Sequence, residues 1–509
     1  MGLGGVLILL SFITTRLLRH ERKATEQREF RPESSIAVIP LSNGGAGPSL
    51  DYLRFAIASD IVTDLTYARS LSVRPFASTT KYGADPKDPE IVGQEMRVSD
   101  VISGDFVKEN GNLKVTCELT RVSDAHVLWR DSVSVPPGEL VRLHQALAER
   151  IQNGVITALG GQRMSGEIPA PHSQRAYDLY LRSVAIARDP APNKSAIVAL
   201  NEAIAEDPDY APAWVELGWR HYLDAEYADG GEKAYKASTQ ASARAAALDP
   251  NGTANSIAIL VDHGDLNEGY DEAQGLLSRR PDAPTAHFQM SYVYRYAGLL
   301  DQAARECDIA LAIDPGYFLF RSCSKVFMYK GDYTRAQVFL DLDGNSGWSI
   351  RQKMHFALRQ QEYPLALALS MIAVESGYKD AEVALAALEH KSSPELRAIA
   401  AREEANAARQ SDPEVKYEVA AMLAFAGDSD RAIRILRSAI QNNYCALPLL
   451  NADPLLANLR RRPDFEQIHG LAVRCQQSFL EHVKSRAPAR SFLPPAGLST
   501  AQASLPPPL

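Results

Sequence analysis

Apolar and polar residues follow two different rhythms along this chain, and the change of rhythm divides it into two regions. From residue 35 to residue 160, short apolar runs alternate with amphipathic stretches, which predicts strands interleaved with helices. The stretch from Glu139 to Leu159 carries apolar residues four positions apart and predicts the last helix of this region. Beyond residue 173 the strand pattern stops, and small, apolar and aromatic residues recur at helical spacing as far as residue 485.

The first region predicts a sheet covered by helices. The turn Glu109–Gly111 favours a tight hairpin, because Asn-Gly readily adopts positive φ angles. We therefore expect an α/β sandwich domain of about 125 residues. Its five predicted strands begin near Ser35, Leu71, Ser99, Asn112 and Ala125. The first predicted helix has an apolar stripe made of Ile57, Ile61, Leu65 and Ala68.

One interval of the second region has a regular length. Pro281 and Pro315 lie 34 residues apart, with Tyr294 on a predicted first helix and Gly298 at the following turn. Small residues on the next helix allow two antiparallel helices to approach closely. This spacing resembles the tetratricopeptide repeat, a helix-turn-helix unit of the same period. The resemblance implies an all-α superhelical solenoid over residues 174–485.

The repeat is irregular outside that interval. First-helix landmarks recur around Trp214, but an insertion of about eight residues near Gly230 lengthens this unit. Alanine-rich helix pairs continue downstream, and residues 451–472 resemble the cap that closes such arrays. The concave face of the solenoid is expected to form a groove for a peptide or protein.

Residues 1–19 form a separate unit. The stretch from Leu3 to Leu18 is almost wholly apolar, and we predict a single transmembrane helix followed by a charged juxtamembrane segment at residues 20–34. A signal peptide would need a charged region before the apolar stretch and small residues after it, and the sequence shows neither. A buried core helix is the other alternative, and the polar flank disfavours it. Because the arginines follow the apolar stretch, the positive-inside rule alone places the body in the cytoplasm.

A more specific resemblance lies in residues 35–160. The order of SIAVIPL, a helix containing DIVTDL, and the stretch VGQEMRVSDVISGDFVKENGNLKVTCELTRVSDAHVLW resembles the TolB amino-terminal-like domain. That domain precedes tetratricopeptide arrays in many bacterial membrane proteins, so the resemblance implies an inner-membrane protein with its bulk in the periplasm. Such proteins commonly carry a cytoplasmic winged-helix, cyclase or kinase effector before the span, and this sequence shows none.

These observations predict a non-enzymatic, membrane-anchored interaction or sensor scaffold that binds a peptide or protein partner in the repeat groove. The alternative is the sensory half of a one-component signalling or transcriptional regulator whose DNA-binding or cyclase effector is missing from this chain. A net charge of -8 and a pI near 5.8 argue against nucleic-acid binding by the chain itself.

The sequence predicts no catalytic residue, no cofactor and no metal site. The Gly-rich loop from Asn43 to Ser49 follows a strand, where backbone amides can hold a phosphate, but it lacks the lysine of a phosphate-binding loop. A flexible connection is the simpler interpretation. Asp60 and Asp64 lie one helical turn apart and resemble an acid–base pair, but they are offset from the apolar stripe and are predicted to face solvent. An enzyme with an unrecognised site in the sandwich is the second alternative.

Five cysteines complete the inventory and show no zinc-site spacing. They are predicted to be small buried hydrophobic residues, with a single disulfide between Cys307 and Cys323 as the alternative.

The aromatic residues beside the insertion are the candidate partner contacts. Trp219, Tyr222 and Tyr227 are predicted to contact a partner, because aromatic side chains tend to anchor interfaces. Residues 161–173 are rich in Gly, Pro and Ser and predict a linker, and the Pro-rich residues 486–509 predict a disordered tail.

Overall fold

A computed structural model of the chain describes residues 34–68, 71–84, 86–160, 169–186, 188, 190–227, 230–249, 256–343 and 346–486. The predicted transmembrane helix at residues 1–19, most of the juxtamembrane segment and nearly all of the Pro-rich tail lie outside these ranges. Residues 161–168 of the predicted linker lie outside them too. Within the described part of the chain, no helix has both the length and the hydropathy needed to cross a membrane.

The first region folds around one sheet. Its strands are β1 (Ser35–Val38), β2 (Ser42–Asn43), β3 (Ser72–Val73), β4 (Asp100–Glu109), β5 (Asn112–Arg121) and β6 (His126–Val135). The strand order is β3-β1-β4-β5-β6, and β2 pairs with β4. β1 runs parallel to both of its neighbours, whereas β4, β5 and β6 are antiparallel.

Two sequence predictions for the sheet had different outcomes. The hairpin between β4 and β5 is confirmed, because Asn110 and Gly111 both have positive φ angles, 51° and 84°. The predicted second strand is wrong over most of its length, since only Ser72–Val73 pairs with β1. Pro75 has no N–H to donate to a neighbouring strand, and the chain turns there into a short 3-10 helix at Phe76–Ser78.

Helices cover both faces of the parallel part of the sheet. Ile36 and Val38 of β1 belong to the same core as the helices Leu53–Thr66 and Leu140–Arg150. The alternate residue Ala37 points the other way and packs in the core beneath the helix Pro89–Met96, as the two-residue period of a strand requires. The expected sheet with packed helices is therefore present.

The second region is an array of helical hairpins. Gly298 ends the first helix of the fourth hairpin at φ 69°, a conformation that favours glycine. The eight hairpins of the described ranges pair Gln174–Ala185 with Pro190–Glu206, Ala211–Tyr227 with Gly231–Leu248, Ser256–Asp262 with Leu266–Arg279, Pro284–Tyr296 with Leu300–Ile313, Ser324–Tyr329 with Tyr333–Leu340, Gly347–Arg359 with Tyr363–Glu375, Lys379–Leu388 with Ser393–Ala407, and Pro413–Phe425 with Ser429–Gln441. The helices Leu447–Ala452 and Pro463–Arg486 follow them.

The array curves until its later elements meet its middle. The Cys445 amide donates to the carbonyl oxygen of Tyr296 at 2.8 Å, so the chain after the eighth hairpin is joined to the fourth. The ring of Phe479, in the helix Pro463–Arg486, meets the ring of Tyr270 edge-on at 5.6 Å. This long helix therefore packs on the third hairpin as well as on the eighth.

The α/β domain is docked on the first half of the array. Tyr177 and Tyr180 of the first hairpin belong to the same apolar core as Ile57 of the sheet-covering helix. Polar contacts extend the interface: Ser78 Oγ donates to Asp314 Oδ2 at 2.7 Å, and Arg280 Nη2 donates to the Leu71 carbonyl oxygen at 3.0 Å. One apolar core thus joins the α/β domain to the first two hairpins, and the later hairpins have cores of their own.

Two disulfides cross-link the array. Cys307 is joined to Cys323, with Cα atoms 6.0 Å apart, and Cys445 is joined to Cys475, with Cα atoms 5.3 Å apart. Cys117 is a buried thiol in β5. The alternative disulfide between Cys307 and Cys323 is therefore present, a second disulfide was not predicted, and Cys117 alone of the five is the expected buried, unbonded cysteine. Sequence alone could not show which helices become neighbours.

Candidate binding groove

A groove of about 1570 Å³ runs between the inner faces of the hairpins and the α/β domain. The α/β domain contributes Val62, Thr66 and Tyr67 to one wall, and the hairpins contribute most of the other lining residues. Many of the lining side chains are aromatic: Tyr67, Trp219, Tyr222, Phe288, Tyr292, Tyr317, Phe318, Trp348 and Tyr378. A concave surface with aromatic walls is the usual setting for a bound ligand.

Buried ion pairs form one part of the groove floor, which we call the paired floor. Three cations alternate with three carboxylates, so that this part has no net charge. The pairs are Arg295 with Glu414 (2.8 Å), Lys325 with Glu414 and Glu418 (2.9 Å each), and Arg351 with Glu418 (2.9 Å) and Asp380 (2.7 Å). Burial alone would raise the pKa of Asp380, but Arg351 and His355 outweigh it and hold that pKa well below its usual range. Despite burial, the pKa of Glu418 is likewise held well below its usual range by Arg351 and Lys325, so Asp380 and Glu418 are stabilised in their charged forms.

A second part of the floor is formed by Glu226, Asp412 and tyrosines, above the fully buried carboxyl group of Asp262, and among the described residues none of these three carboxyl groups is in an ion pair. Asp262 accepts hydrogen bonds from Tyr292 at 2.8 Å, Tyr222 at 3.0 Å and Tyr296 at 3.0 Å. The Tyr296 hydroxyl also lies 2.9 Å from Asp412 Oδ1. A phenol has one proton to donate, so a proton on one of the two carboxyl groups relieves the repulsion around Tyr296.

Glu226 is the third carboxyl group of this part. Burial, followed by the nearby Asp412 and Asp262, raises the pKa of Glu226 well above its usual range. Burial also raises the pKa of Asp262 well above its usual range, and it raises the pKa of Asp412 to about 6. We call these three carboxyl groups, together with the rings of Trp219, Tyr222 and Tyr292, the acid pocket.

Two of the three predicted partner contacts lie in the acid pocket. The rings of Trp219 and Tyr222 stack with centroids 5.1 Å apart and line the groove. The side chain of Tyr227, at the end of the same helix, lies outside the described part of the chain. That these residues contact a partner stays a prediction.

The acid pocket carboxylates were not found by the sequence reasoning. Tyr296 and Asp412 are separated by 116 positions, and only the closure of the array brings them together. One signal was available: the helix Pro413–Phe425 buries the charged residues Glu414, Lys416 and Glu418 within an otherwise apolar run. Charged residues at core positions mark either buried ion pairs or a site.

The prediction that Asp60 and Asp64 face solvent is wrong. Their exposed fractions are 6% and 3%, because the helix Gln174–Ala185 packs over the side of their helix that the sheet leaves open. Asp60 Oδ2 lies 2.7 Å from His144 Nδ1 and accepts a hydrogen bond from Tyr177 at 2.6 Å. Burial would lower the pKa of His144, but Asp60 outweighs it and raises that pKa to about 9.

Asp60, Asp64 and His144 have ligand atoms within 4.8 Å of one another, a spacing that a metal ion can bridge. Their hydrogen bonds and charges also explain the cluster without an ion. Burial, followed by Asp60, raises the pKa of Asp64 well above its usual range, which favours a protonated Asp64 beside the contact between His144 and Asp60. The cluster thus forms a buried polar contact between the α/β domain and the first hairpin.

The polar groups of the Gly-rich loop form hydrogen bonds within the loop. Asn43 Oδ1 accepts hydrogen bonds from the amides of Gly45 at 3.2 Å and Ala46 at 2.8 Å, and Asn43 Nδ2 donates to the Gly47 carbonyl oxygen at 3.1 Å. These amides point at a side chain of the loop, which agrees with the interpretation of a simple connection.

The fold defines a class: an α/β domain joined to a helical-repeat array of the tetratricopeptide type. A family profile described as the second domain of HilA/YgeH-like transcriptional regulators matches residues 32–150. The chain is also 25% identical over 150 residues to the putative adenylate cyclase 3 of Rhizobium meliloti (strain 1021). That match covers 29% of this chain and 26% of the relative, so the chain spans about a quarter of the relative's length.

Similarities to solved structures are weak. Yeast Tom70 gives a TM-score of 0.34 at 11% identity, covering 68% of this chain and 76% of that one. The tetratricopeptide domain of P58(IPK) gives 0.19 at 13% identity, covering 58% and 94%. Lipoprotein GNA1162 from Neisseria meningitidis gives 0.19 at 18% identity, covering 24% and 99%. The assignment of the repeat therefore rests on the hairpins themselves. The TolB-like assignment stays a resemblance.

Proposed function

We propose that the groove binds a peptide segment of another protein, and that the chain is the non-enzymatic, sensing part of a membrane-anchored signalling protein. The observation that carries the proposal is the groove itself. Its 1570 Å³ accommodate a peptide of several residues, and its walls are rich in the aromatic side chains that dominate binding energy at interfaces.

The setting is part of the same proposal. The apolar residues at the start of the sequence support a membrane anchor. The disulfides Cys307–Cys323 and Cys445–Cys475 support an oxidising compartment such as the periplasm, since structural disulfides are rare in the cytosol. Reporter fusions after residue 35 and at the C-terminus test this setting: a cytoplasmic signal from both fusions would overturn it.

The binding proposal is tested by selecting random dodecapeptides from a display library on the full chain. We expect enriched peptides to lose at least tenfold in affinity on Phe288→Ala, which removes an aromatic wall of the groove. Met371→Ala is the matched control, because Met371 is 52% exposed and lies outside the groove. The absence of enriched peptides, or binders insensitive to Phe288→Ala, would contradict the proposal.

A second candidate function is the sensory half of a transcriptional or cyclase regulator. It is favoured by the match of residues 32–150 to a domain of transcriptional regulators and by the similarity to a putative adenylate cyclase. Sequencing the gene upstream of Met1 tests it: an in-frame winged-helix or cyclase segment supports it, and an in-frame stop codon followed by a ribosome-binding site contradicts it.

A further inference from the structure

The two parts of the groove floor together hold more buried carboxyl groups than buried cations. The three buried cations Arg295, Lys325 and Arg351 are engaged by the carboxylates of the paired floor. Glu226, Asp262 and Asp412 lie in the same interior, and in the described ranges no ion pair reaches them. A buried carboxylate without a cation is costly, so this part of the floor takes up protons when the groove is empty, and a cation that binds there releases them.

Unpartnered atoms point to the same kind of ligand. Glu226 Oε1 and Gln289 Oε1 are buried, line the groove and have no hydrogen-bond partner among the described residues. Both are acceptors, which a ligand rich in N–H donors would satisfy, and the Trp219 Nε1 donor, which also has no partner among the described residues, would be satisfied by a backbone carbonyl oxygen of a peptide. Burial with its neighbouring carboxylates raises the pKa of Glu226 well above its usual range, as expected for an acid that lacks its counter-ion.

The aromatic wall of the pocket already binds one guanidinium. The Cζ atom of Arg295 lies 4.4 Å from the centre of the Tyr292 ring, within the distance of a cation–π contact. Trp219 and Tyr222 stack on each other in the same groove, where a second guanidinium, that of Arg188, lies 5.9 Å from the centre of the Trp219 ring. A planar cation fits such a surface better than a compact ammonium group, because a guanidinium stacks on rings and offers five N–H donors.

We infer that the acid pocket receives an arginine side chain of the bound peptide, with its guanidinium paired to Glu226 and stacked on the aromatic wall. This inference rests on the proposed function, because it names the chemistry that the groove selects. It commits to a segment of another protein as the occupant.

The test uses three pentapeptide probes, acetyl-Gly-Ala-Xaa-Ala-Gly-amide, with arginine, lysine or citrulline at the centre. Citrulline keeps the shape of arginine and removes its charge. Calorimetry on the full chain is expected to show arginine bound at least tenfold more tightly than citrulline, with lysine in between. Equal affinity for arginine and citrulline would overturn the inference.

Single substitutions test whether the arginine probe binds at the acid pocket. Glu226→Gln is expected to lower the affinity for the arginine probe at least tenfold and to leave the citrulline probe unchanged. Glu232→Gln is the matched control, because Glu232 lines the same part of the groove but is 59% exposed and paired with Lys236 at 3.7 Å. We expect less than a twofold effect there. Asp262→Asn provides a second variant with the same expected loss as Glu226→Gln. Equal losses in Glu226→Gln and Glu232→Gln would mean general electrostatics and would also overturn the inference.

The two proposals fail in different ways. If displayed peptides bind and depend on Phe288 but show no preference for arginine, the groove binds peptides and the inference is wrong. If no peptide binds, the proposed function is wrong. Light scattering without probe identifies the remaining occupant: a dimer that dissociates on addition of the arginine probe would show a second copy in the pocket and overturn the inference.

Discussion

The paired floor and the acid pocket are neighbouring parts of one groove, and they differ in the supply of cations. Arg295, Lys325 and Arg351 neutralise the carboxylates of the paired floor at 2.7 to 2.9 Å. In the acid pocket, tyrosine hydroxyls are the side-chain hydrogen-bond partners of Asp262 and Asp412, and among the described residues no cation forms an ion pair with either. Both parts lie inside the same curved array, so burial alone does not explain the difference.

This difference assigns a structural role to the paired floor and a binding role to the acid pocket. The paired floor is complete in itself and joins helices of the fourth, fifth, sixth, seventh and eighth hairpins, so its role is to hold the curvature of the array. The acid pocket stays incomplete without a ligand. Binding energy is then available there, because a cation from a partner relieves a cost that the fold leaves in place.

The largest effect is expected when the paired floor is broken. Arg351→Met leaves Asp380 and Glu418 without their main counter-ion, and removal of one partner from a buried pair costs about 3–5 kcal/mol. Urea unfolding followed by circular dichroism measures the loss. Arg402→Met is the control, since Arg402 pairs with Glu382 at the surface and is 64% exposed. Equal losses of unfolding free energy in the two variants would show that the paired floor does not stabilise the fold.

The disulfides reinforce the side of the array that holds the paired floor. Cys323 adjoins the helix that carries Lys325, and Cys445 follows Tyr444, which donates to Glu414 at 3.1 Å. Replacing Cys307 and Cys323 together by serine is expected to lower the free energy of unfolding by about 2–4 kcal/mol, because the cross-link between residues 16 positions apart restricts the unfolded chain. Unfolding in denaturant measures it. A double variant as stable as the wild type would contradict this expectation.

The two parts of the floor are expected to respond to pH with opposite sign. Asp412 has a folded pKa of about 6, above its unfolded value of about 3.9, so its favourable contribution is complete below that value and is lost as pH rises through about 6. Glu414, Lys325 and Tyr296 face this group. Asp380 has a lowered pKa, so its contribution is present above about 3.9 and is lost as pH falls.

Stability measured from pH 2 to pH 8 tests this contrast. Asp412→Asn is expected to reduce the loss of stability between pH 4 and pH 7. Asp380→Asn is expected to reduce the loss on acidification below pH 4. Curves for both variants that run parallel to the wild type would show that neither group titrates with the expected sign.

The cluster of Asp60, Asp64 and His144, between the α/β domain and the first hairpin, is expected to give a smaller change in stability, at higher pH. His144 has a folded pKa of about 9 and an unfolded value of about 6.5, so its contribution is complete below pH 6.5 and disappears as pH rises through 9. His144→Gln is expected to flatten the stability curve between pH 7 and pH 9.5. An unchanged slope would mean that His144 is neutral in the folded protein.

Local patterns in the sequence were sufficient for the parts of the fold that depend on local contacts. Asn110-Gly111 predicted its hairpin, and the 34-residue interval around Gly298 predicted helical hairpins. Asp60 and Asp64 were misassigned because the apolar stripe identified the face toward the sheet, whereas the opposite face is covered by a helix more than a hundred residues later. The acid pocket was out of reach for the same reason, since Asp262 and Asp412 meet only when the array closes.

The melting temperatures of the wild type and Glu226→Gln, each with and without the arginine pentapeptide, test the central claim most directly. A binding role predicts that Glu226→Gln melts higher than the wild type without peptide, by about 1 kcal/mol of added stability, because an uncompensated buried carboxyl group is removed. It also predicts that the peptide raises the melting temperature of the wild type more than that of the variant. A variant that melts lower, with both proteins stabilised equally by the peptide, would contradict the account and make Glu226 a structural residue.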